Sequence, residues 1–265
     1  EQYDNSVSHA LEYYIADFAL SRFAEALGKK KDAEMFYKRS LGYKHYYSKE
    51  FGTFRPILPD GTFYSPFNPR QGENFEPNPG FHEGSAWNYS FYVPHDVYGL
   101  AKLMGGKNPF IKKLQMVFDE GLYDPANEPD IAYAHLFSYF RGEEWRTQKE
   151  TQRLLDKYFT TKPNGIPGND DTGTMSAWAI FNMIGFYPDC PGLPEYTLTT
   201  PVFNKVTIRL DPKWYKEKEL VIESNRTQPG TLYINKVLLN GKKFNQYRIT
   251  HDELVHSQRI LFDLK

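Results

Sequence analysis

The period of the apolar residues changes once along this chain, and that change limits the fold more than any other feature. Up to about residue 187 they recur every three or four positions; after Pro188 they alternate. In residues 6–27, Leu11, Tyr14, Ile15 and Phe18 share one helical face. Asp17, Ser21 and Glu25 step by four along another, and Gly28 is a stop signal. Residues 31–47 repeat the pattern with Met35, Phe36, Leu41 and Tyr43, and the short connection makes the two an antiparallel pair. Further helices are expected over 85–92, 96–104, 109–121, 131–140, 145–159 and 175–184. Beyond them Val206, Ile208 and Leu210 alternate with Lys205, Thr207 and Arg209. Residues 220–223, 232–239 and 259–264 read as further strands, with an Asn240-Gly241 turn. The expected fold class is mainly α with a C-terminal antiparallel β portion: a helical-pair region over 1–188 and a small antiparallel β region over 189–265.

The balance of charge excludes several partners. With 32 basic and 33 acidic side chains in 265 residues the formal net charge is −1, and neither sign forms a long run. Nucleic acid and anionic membrane surfaces both call for a concentrated basic face. No apolar run approaches the roughly 20 residues that span a bilayer. No signal peptide is visible at Glu1, and the chain opens mid-pattern, as it would after removal of a leader. Cys190 is the one cysteine, so an intramolecular disulfide framework is excluded. Twenty Tyr and 20 Phe suit the apolar faces of sugar rings, but composition alone favours the plainer reading, a helical protein that fills wide interhelical gaps with rings.

Residues 51–80 break the helical rhythm with closely spaced Pro and Gly, while Phe63, Tyr64, Phe67, Phe75 and Pro77 keep the stretch rich in rings and rigid residues. A loop this long in a compact domain points to function, and its aromatics point to an ordered cover over an active site. Three acidic loops then open helices. Glu83 precedes Gly84; Asn127 and Glu128 precede Pro129; Asn169, Asp170 and Asp171 lie between Gly168 and Gly173. Helix capping explains any one of them. In an array of paired helices alternate connections share an end, so three such loops can converge, and two carboxylates flanking a cleft are what glycoside hydrolysis requires. A helix N-terminus favours the ionised form of Glu83, while Phe81, Trp87 and Tyr89 around it disfavour that form by desolvation. The oxygen ligands of Asn127-Glu128 suit calcium rather than zinc. His95 beside Asp96 reads either as an acid–base dyad or as a polar helix start with a hydrogen-bonded imidazole. No Gly-x-Ser-x-Gly elbow is present.

Taken together, these motifs resemble the family 92 glycoside hydrolases, calcium-dependent exo-acting α-mannosidases. The resemblance is carried by Glu83-Gly84-Ser85-Ala86-Trp87-Asn88-Tyr89 with Val93-Pro94-His95-Asp96, by Asn127-Glu128-Pro129 and Trp145 to Gln148, and by Gly168-Asn169-Asp170-Asp171-Thr172-Gly173 with Met175-Ser176-Ala177-Trp178. Gly185-Phe186-Tyr187-Pro188 and Cys190-Pro191-Gly192 follow in the same order. It implies part of an (α/α)6 toroid followed by a small β-sheet, and an inverting single displacement that removes terminal α-mannosides, α-1,2-linked ones first among them. By position Glu83 is the implied general acid and Asp171 the base, with Asp170 as the second choice for the base. Asn127 and Glu128 help hold calcium, and Trp87, His95 and Asn169 line the site. Asn88, Thr172 and Thr174 depart from the family pattern of Gln, Cys and Gln. The implied partners are mannose-containing glycans and an N-terminal β-sandwich region of the same protein, outside these residues. The implied compartment is extracytoplasmic. An incomplete toroid leaves apolar helix faces open, which invites self-association. The alternative reading is a non-catalytic carbohydrate-binding or structural helical module that kept the scaffold; a helical-toroid lyase or phosphorylase is weaker, since no basic phosphate cluster is visible.

Overall fold

A computed structural model describes residues 5–72, 78–228 and 230–265. Phe75 and Pro77 of the expected covering loop lie outside the described residues. The chain divides into two compact units. One runs to Tyr133 and takes in Cys190–Leu193; the other comprises Ala134–Asp189 and Pro194–Lys265. This division differs from the change of secondary structure at 188/189, because the second unit holds helices over Glu144–Tyr158 and Thr174–Ile184 as well as the strands that follow them.

The first unit opens with α1 (Ser6–Ala26) and α2 (Lys30–Ser40), the expected antiparallel pair. Val7, Leu11, Ile15 and Phe18 are buried along α1, and Asp17 and Ser21 are buried beside them, whereas Glu25 is exposed. The buried Asp17 carboxylate takes both arms of the Arg39 guanidinium, the Nε arm at 2.6 Å, and this two-point bond fixes the register of α2 on α1. Where a single helix over 31–47 is expected, α2 stops at Ser40 and a 3-10 turn, Leu41–Tyr46, takes over. It leads into β1 (Tyr47–Ser48) and β2 (Thr53–Phe54), an antiparallel hairpin.

Past β2 the Pro- and Gly-rich loop is ordered around one cation. Buried Arg55 donates from Nε to the Tyr64 carbonyl at 2.7 Å and pairs with Glu50 at 3.0 Å. Its guanidinium lies 5.0, 5.5 and 5.4 Å from the ring centres of Phe51, Phe63 and Phe67. The loop aromatics are therefore the walls of an arginine box. The helix expected over 85–92 is shorter: α3 covers Ala86–Tyr89. The Tyr133 hydroxyl donates to the Asn88 carbonyl at 2.7 Å and accepts from the Phe91 amide at 3.0 Å, in place of the partners a further helical turn would offer. Val93 also precedes Pro94, which disfavours helical backbone there. Next come α4 (Val97–Leu103) and α5 (Lys107–Asp119), the latter burying Phe110, Ile111, Leu114, Val117 and Phe118.

The expected helix over 131–140 is instead a 3-10 segment, Tyr133–Tyr139. Its Ala134, His135, Leu136 and Phe137 are all buried, so packing on every side overrides a modest helical propensity. In the second unit, α6 (Glu144–Tyr158) buries Thr147, Gln148, Thr151, Leu154 and Leu155, and α7 (Thr174–Ile184) buries Met175, Trp178, Ala179 and Asn182. The strands follow: β3 (Phe186–Tyr187), β4 (Glu195–Leu198), β5 (Lys205–Arg209), β6 (Glu219–Arg226), β7 (Ile234–Leu239), β8 (Lys242–Phe244) and β9 (Arg248–Thr250). A short helix α8 (His251–Val255) and β10 (Arg259–Leu264) complete the unit. Asn240 and Gly241, at φ 49° and 80°, close β7 onto β8 with the positive-φ pair that a two-residue hairpin requires. The five-stranded sheet has the order β5-β6-β10-β7-β8, and a three-stranded sheet the order β3-β4-β9. The β portion is antiparallel but for one pair. β10 inserts between β6 and β7 and runs parallel to β6, because the chain leaves through β7, β8, β9 and α8 before returning. Leu220, Ile222, Ile234, Val237, Ile260 and Phe262 form the core beneath it.

Candidate active site

Glu83 stands on a backbone that is held from several sides. Its φ is 51°, a left-handed value that costs a side-chain-bearing residue about 1–2 kcal/mol. The Gly80 carbonyl accepts from the Val7 and Ser8 amides at 2.9 and 3.2 Å, and the His82 amide donates to the Ser8 hydroxyl at 3.1 Å. The Tyr89 hydroxyl donates to the His82 carbonyl at 2.7 Å, and Asn127 Nδ2 donates to the Glu83 carbonyl at 2.7 Å. Asn78 Nδ2 reaches the Gly84 carbonyl at 3.1 Å. Gly72 passes so close that a Cβ there would lie 2.3 Å from that same carbonyl oxygen. The Glu83 side chain, by contrast, is about half exposed (54%), with His82 Nε2 3.5 Å from its Oε1. A fixed backbone that presents an accessible carboxylate is the geometry a proton donor to a bound molecule needs.

Ser85 caps α3, and Asn88 completes a capping box with its Oδ1 accepting from Ser85 N and Oγ at 2.8 and 2.9 Å. The other end of the Asn88 amide donates to the Leu122 carbonyl at 3.2 Å and to Asp130 Oδ2 at 2.9 Å. Asp130 also accepts from the Asp124 amide at 2.6 Å. It is fully buried, and burial pushes its carboxyl well above the usual range. The structure thus brings the Glu83 loop and the Asn127-Glu128 turn together. Asp130 and Asn88 make the link, whose one local trace in the sequence is that Asp130 follows the Asn127-Glu128-Pro129 motif.

Trp87 is 8% exposed and belongs chiefly to the core of this unit, with its carbonyl bonded by the Tyr133 hydroxyl. The His95 imidazole donates from Nε2 to the Ser40 carbonyl at 3.0 Å and packs near Phe18 and Tyr43, with ring centres 5.6 and 5.9 Å away. Burial holds its pKa below the ordinary 6.5, so it is neutral near pH 7. Asp96 accepts from the Gly99 amide at 3.0 Å and caps α4, and it also accepts from the Tyr43 hydroxyl at 2.8 Å. Of the two readings of this dipeptide, the geometry is that of a polar helix start with a hydrogen-bonded histidine.

In the second unit the loop before α7 separates its three candidates. Asp170 is engaged at both oxygens: Oδ1 accepts from the Ser176 amide at 2.7 Å and Oδ2 from the Ser176 hydroxyl at 2.5 Å. Those bonds, the hydroxyl's first, hold its pKa below the usual carboxylate range. Asp171 is exposed; its carbonyl accepts from the Thr174 hydroxyl at 2.6 Å, and among the described residues no group bonds its carboxylate. Thr172 at φ 56° and Gly173 at φ 84° turn the chain sharply into α7 just after it. Asn169 is exposed on the same loop. Among the described residues there is no group of three or more His, Cys, Asp and Glu side chains that could hold a metal ion.

Comparison with known proteins gives these loops a setting. The model of the glycosyl hydrolase family 92 catalytic domain matches residues 1–265. A family GH92 α-mannosidase of Bacteroides thetaiotaomicron, solved in complex with mannoimidazole, superposes with a TM-score of 0.90 at 30% identity, covering 98% of this chain and 36% of its own. A family GH92 inverting mannosidase of the same organism superposes at 0.86 with 31% identity, over 98% of this chain and 37% of its own. An uncharacterized secreted glycosidase of Arthroderma benhamiae is 26% identical across 93% of this chain and 34% of its own length. The chain thus spans about a third of the length of the relatives it matches, and with the family model covering it from end to end, it belongs to glycosyl hydrolase family 92.

Proposed function

We propose that this chain carries catalytic residues for inverting hydrolysis of terminal α-mannosides, α-1,2-linked ones first among them. The observation that carries the reading is the accessible Glu83 carboxylate on a fixed, left-handed backbone, in a chain matched throughout by the family 92 catalytic domain. Glu83 gives its proton to the glycosidic oxygen as the bond from that oxygen to the anomeric carbon breaks. A water attacks the anomeric carbon from the opposite face, and Asp171 takes the proton that water loses, which leaves β-mannose. Asp171 suits that role better than Asp170, because both Asp170 oxygens already serve the start of α7. Asn169 on the same loop lines the sugar site. Trp87 and His95 serve the Glu83 side of the site through packing rather than direct contact, since Trp87 is buried and His95 is tied to Ser40.

Calcium fits the donor chemistry of the Asn127-Glu128 turn. With Asn127 Nδ2 committed to Glu83, its Oδ1 and the Glu128 carboxylate are both hard oxygens, and no thiol or imidazole stands with them in the turn. Two side-chain oxygens fall short of the six to eight typical of calcium, so carbonyls, water and sugar hydroxyls would have to complete the set. When bound, the ion supplies an electrostatic hold on sugar hydroxyls. The secreted relative supports an extracytoplasmic location, and mannose-containing glycans are the partners this reading assigns. The rest of a longer protein, with an N-terminal β-sandwich, belongs to the same reading. Exposed Tyr13, Leu20 and Phe23 on α1, with Leu27 just past its end, give the isolated chain a surface for self-association.

The test is Glu83→Gln. It should lower turnover of mannosides with poor leaving groups by about 10²–10⁴-fold while sugar binding, read by calorimetry, is kept. Wild-type turnover in that variant would remove Glu83 from the mechanism. Binding without turnover in the unaltered chain would favour a carbohydrate-binding module.

A further inference from the structure

The buried polar groups around Glu83 close into a ring, and the ring has a job beyond stability. From the Glu83 carbonyl the path runs to Asn127 Nδ2 (2.7 Å), and the Asn127 carbonyl accepts from the Asp130 amide at 3.3 Å. Asp130 Oδ2 accepts from Asn88 Nδ2 at 2.9 Å, Asn88 Oδ1 accepts from the Ser85 amide at 2.8 Å, and Ser85 returns through Gly84 to Glu83. Asn88, Asp130 and the Asn127 side chain are all buried, so no water competes for these bonds. The link spans 42 residues between Asn88 and Asp130 and 44 between Glu83 and Asn127, which makes the ring a tertiary clamp rather than a local cap.

The geometry points to Asn127, Asp130 and Asn88 as positioning residues that jointly hold Glu83 in its left-handed conformation, the Asn127 amide nitrogen acting apart from any role its oxygen has toward a cation. A left-handed glutamate relaxes unless its surroundings over-determine it: the ring ties the Glu83 carbonyl and the Ser85 amide after it, while Ser8 and the Tyr89 hydroxyl hold the His82 peptide groups before it. The inference rests on the reading of Glu83 as the acid for its consequence in catalysis, but the clamp itself is read without turnover.

Two variants break the ring at bonds other than the one made by the amide that reports on it. Asn127→Asp keeps an oxygen for a cation and removes the donor to Glu83. Asp130→Leu removes the acceptor of Asn88, while Asp130→Asn keeps an oxygen for it. The readout is hydrogen exchange of the Ser85 amide by NMR in the 265-residue chain, with α5 amides as the internal control. Each breaking variant should speed Ser85 exchange by about tenfold, the worth of roughly one buried hydrogen bond. The double variant should exceed neither single, because an opened ring has nothing further to open. Asp130→Asn should exchange like the wild type. Unchanged Ser85 exchange in Asn127→Asp, or effects that multiply in the double variant, would overturn the clamp. On the catalytic side, Asn127→Asp should lower kcat more than it raises KM. If Glu83→Gln leaves turnover intact while the exchange results hold, the acid assignment fails and the clamp stands.

Discussion

Glu83 and Asp170 show how two acids in similar sequence settings acquire different work. Both stand in a glycine-containing loop that opens a helix, yet Asp170 gives both oxygens to Ser176 while Glu83 keeps its carboxylate about half exposed. The capping bonds hold Asp170 below its ordinary pKa, so its stabilising effect is present above the unfolded-state value of about 3.9 and is lost as pH falls through the lower folded value. Asp170→Asn should therefore melt below the wild type at pH 7, and the gap should close as acid titrates the carboxylate; a scan of Tm against pH reads it. His95 works in the same direction by another cause. Burial lowers its pKa, so as pH falls below 6.5 the unfolded chain takes the proton first and the folded state loses stability. His95→Gln should flatten that part of the urea-midpoint profile, and an unchanged slope would place the effect elsewhere. The sequence offered both readings of His95; only the Ser40 carbonyl, 55 residues away, decides between them.

At the scale of elements, what depends on neighbours along the chain was legible, and what depends on distant partners was not. The α1–α2 pair, with the stop at Gly28, and the Asn240-Gly241 hairpin follow from local pattern and turn chemistry. Gly241→Ala tests the hairpin cleanly. A Cβ there meets nothing within 4 Å, so the whole cost is the positive φ, about 1 kcal/mol in a urea titration. By contrast, α3 is cut short by Tyr133, the 131–140 segment becomes 3-10 because it is buried all round, and β10 pairs in parallel with β6 because of the path the chain takes before it. None of these has a signature within its own window. The aromatic loop was legible as ordered, but its organiser, Arg55, was not, since cation–π contacts have no sequence period. Arg55→Lys keeps the charge and loses the forked bonds to Tyr64 and Glu50. It should destabilise the chain by about 2 kcal/mol, with proteolysis of residues 55–72 rising in step.

For the molecule as a whole, the motifs were legible because three loops, each ordinary alone, occur in one order. Their chemistry is set by burial and bonding that order does not reveal: Trp87 and His95 are held inside, Asp170 is a cap, and Glu83 and Asp171 keep accessible carboxylates. The chain matches relatives about three times its length, so its own activity is the quantity to measure. The direct test is mannose release from α-1,2-mannobiose, with calcium and with EDTA, following the anomer by proton NMR. The account predicts β-mannose as the first product, and only with calcium. Release of α-mannose would contradict the inverting displacement, release in EDTA would contradict the calcium site, and no release at all would contradict hydrolysis by this chain and favour a sugar-binding scaffold.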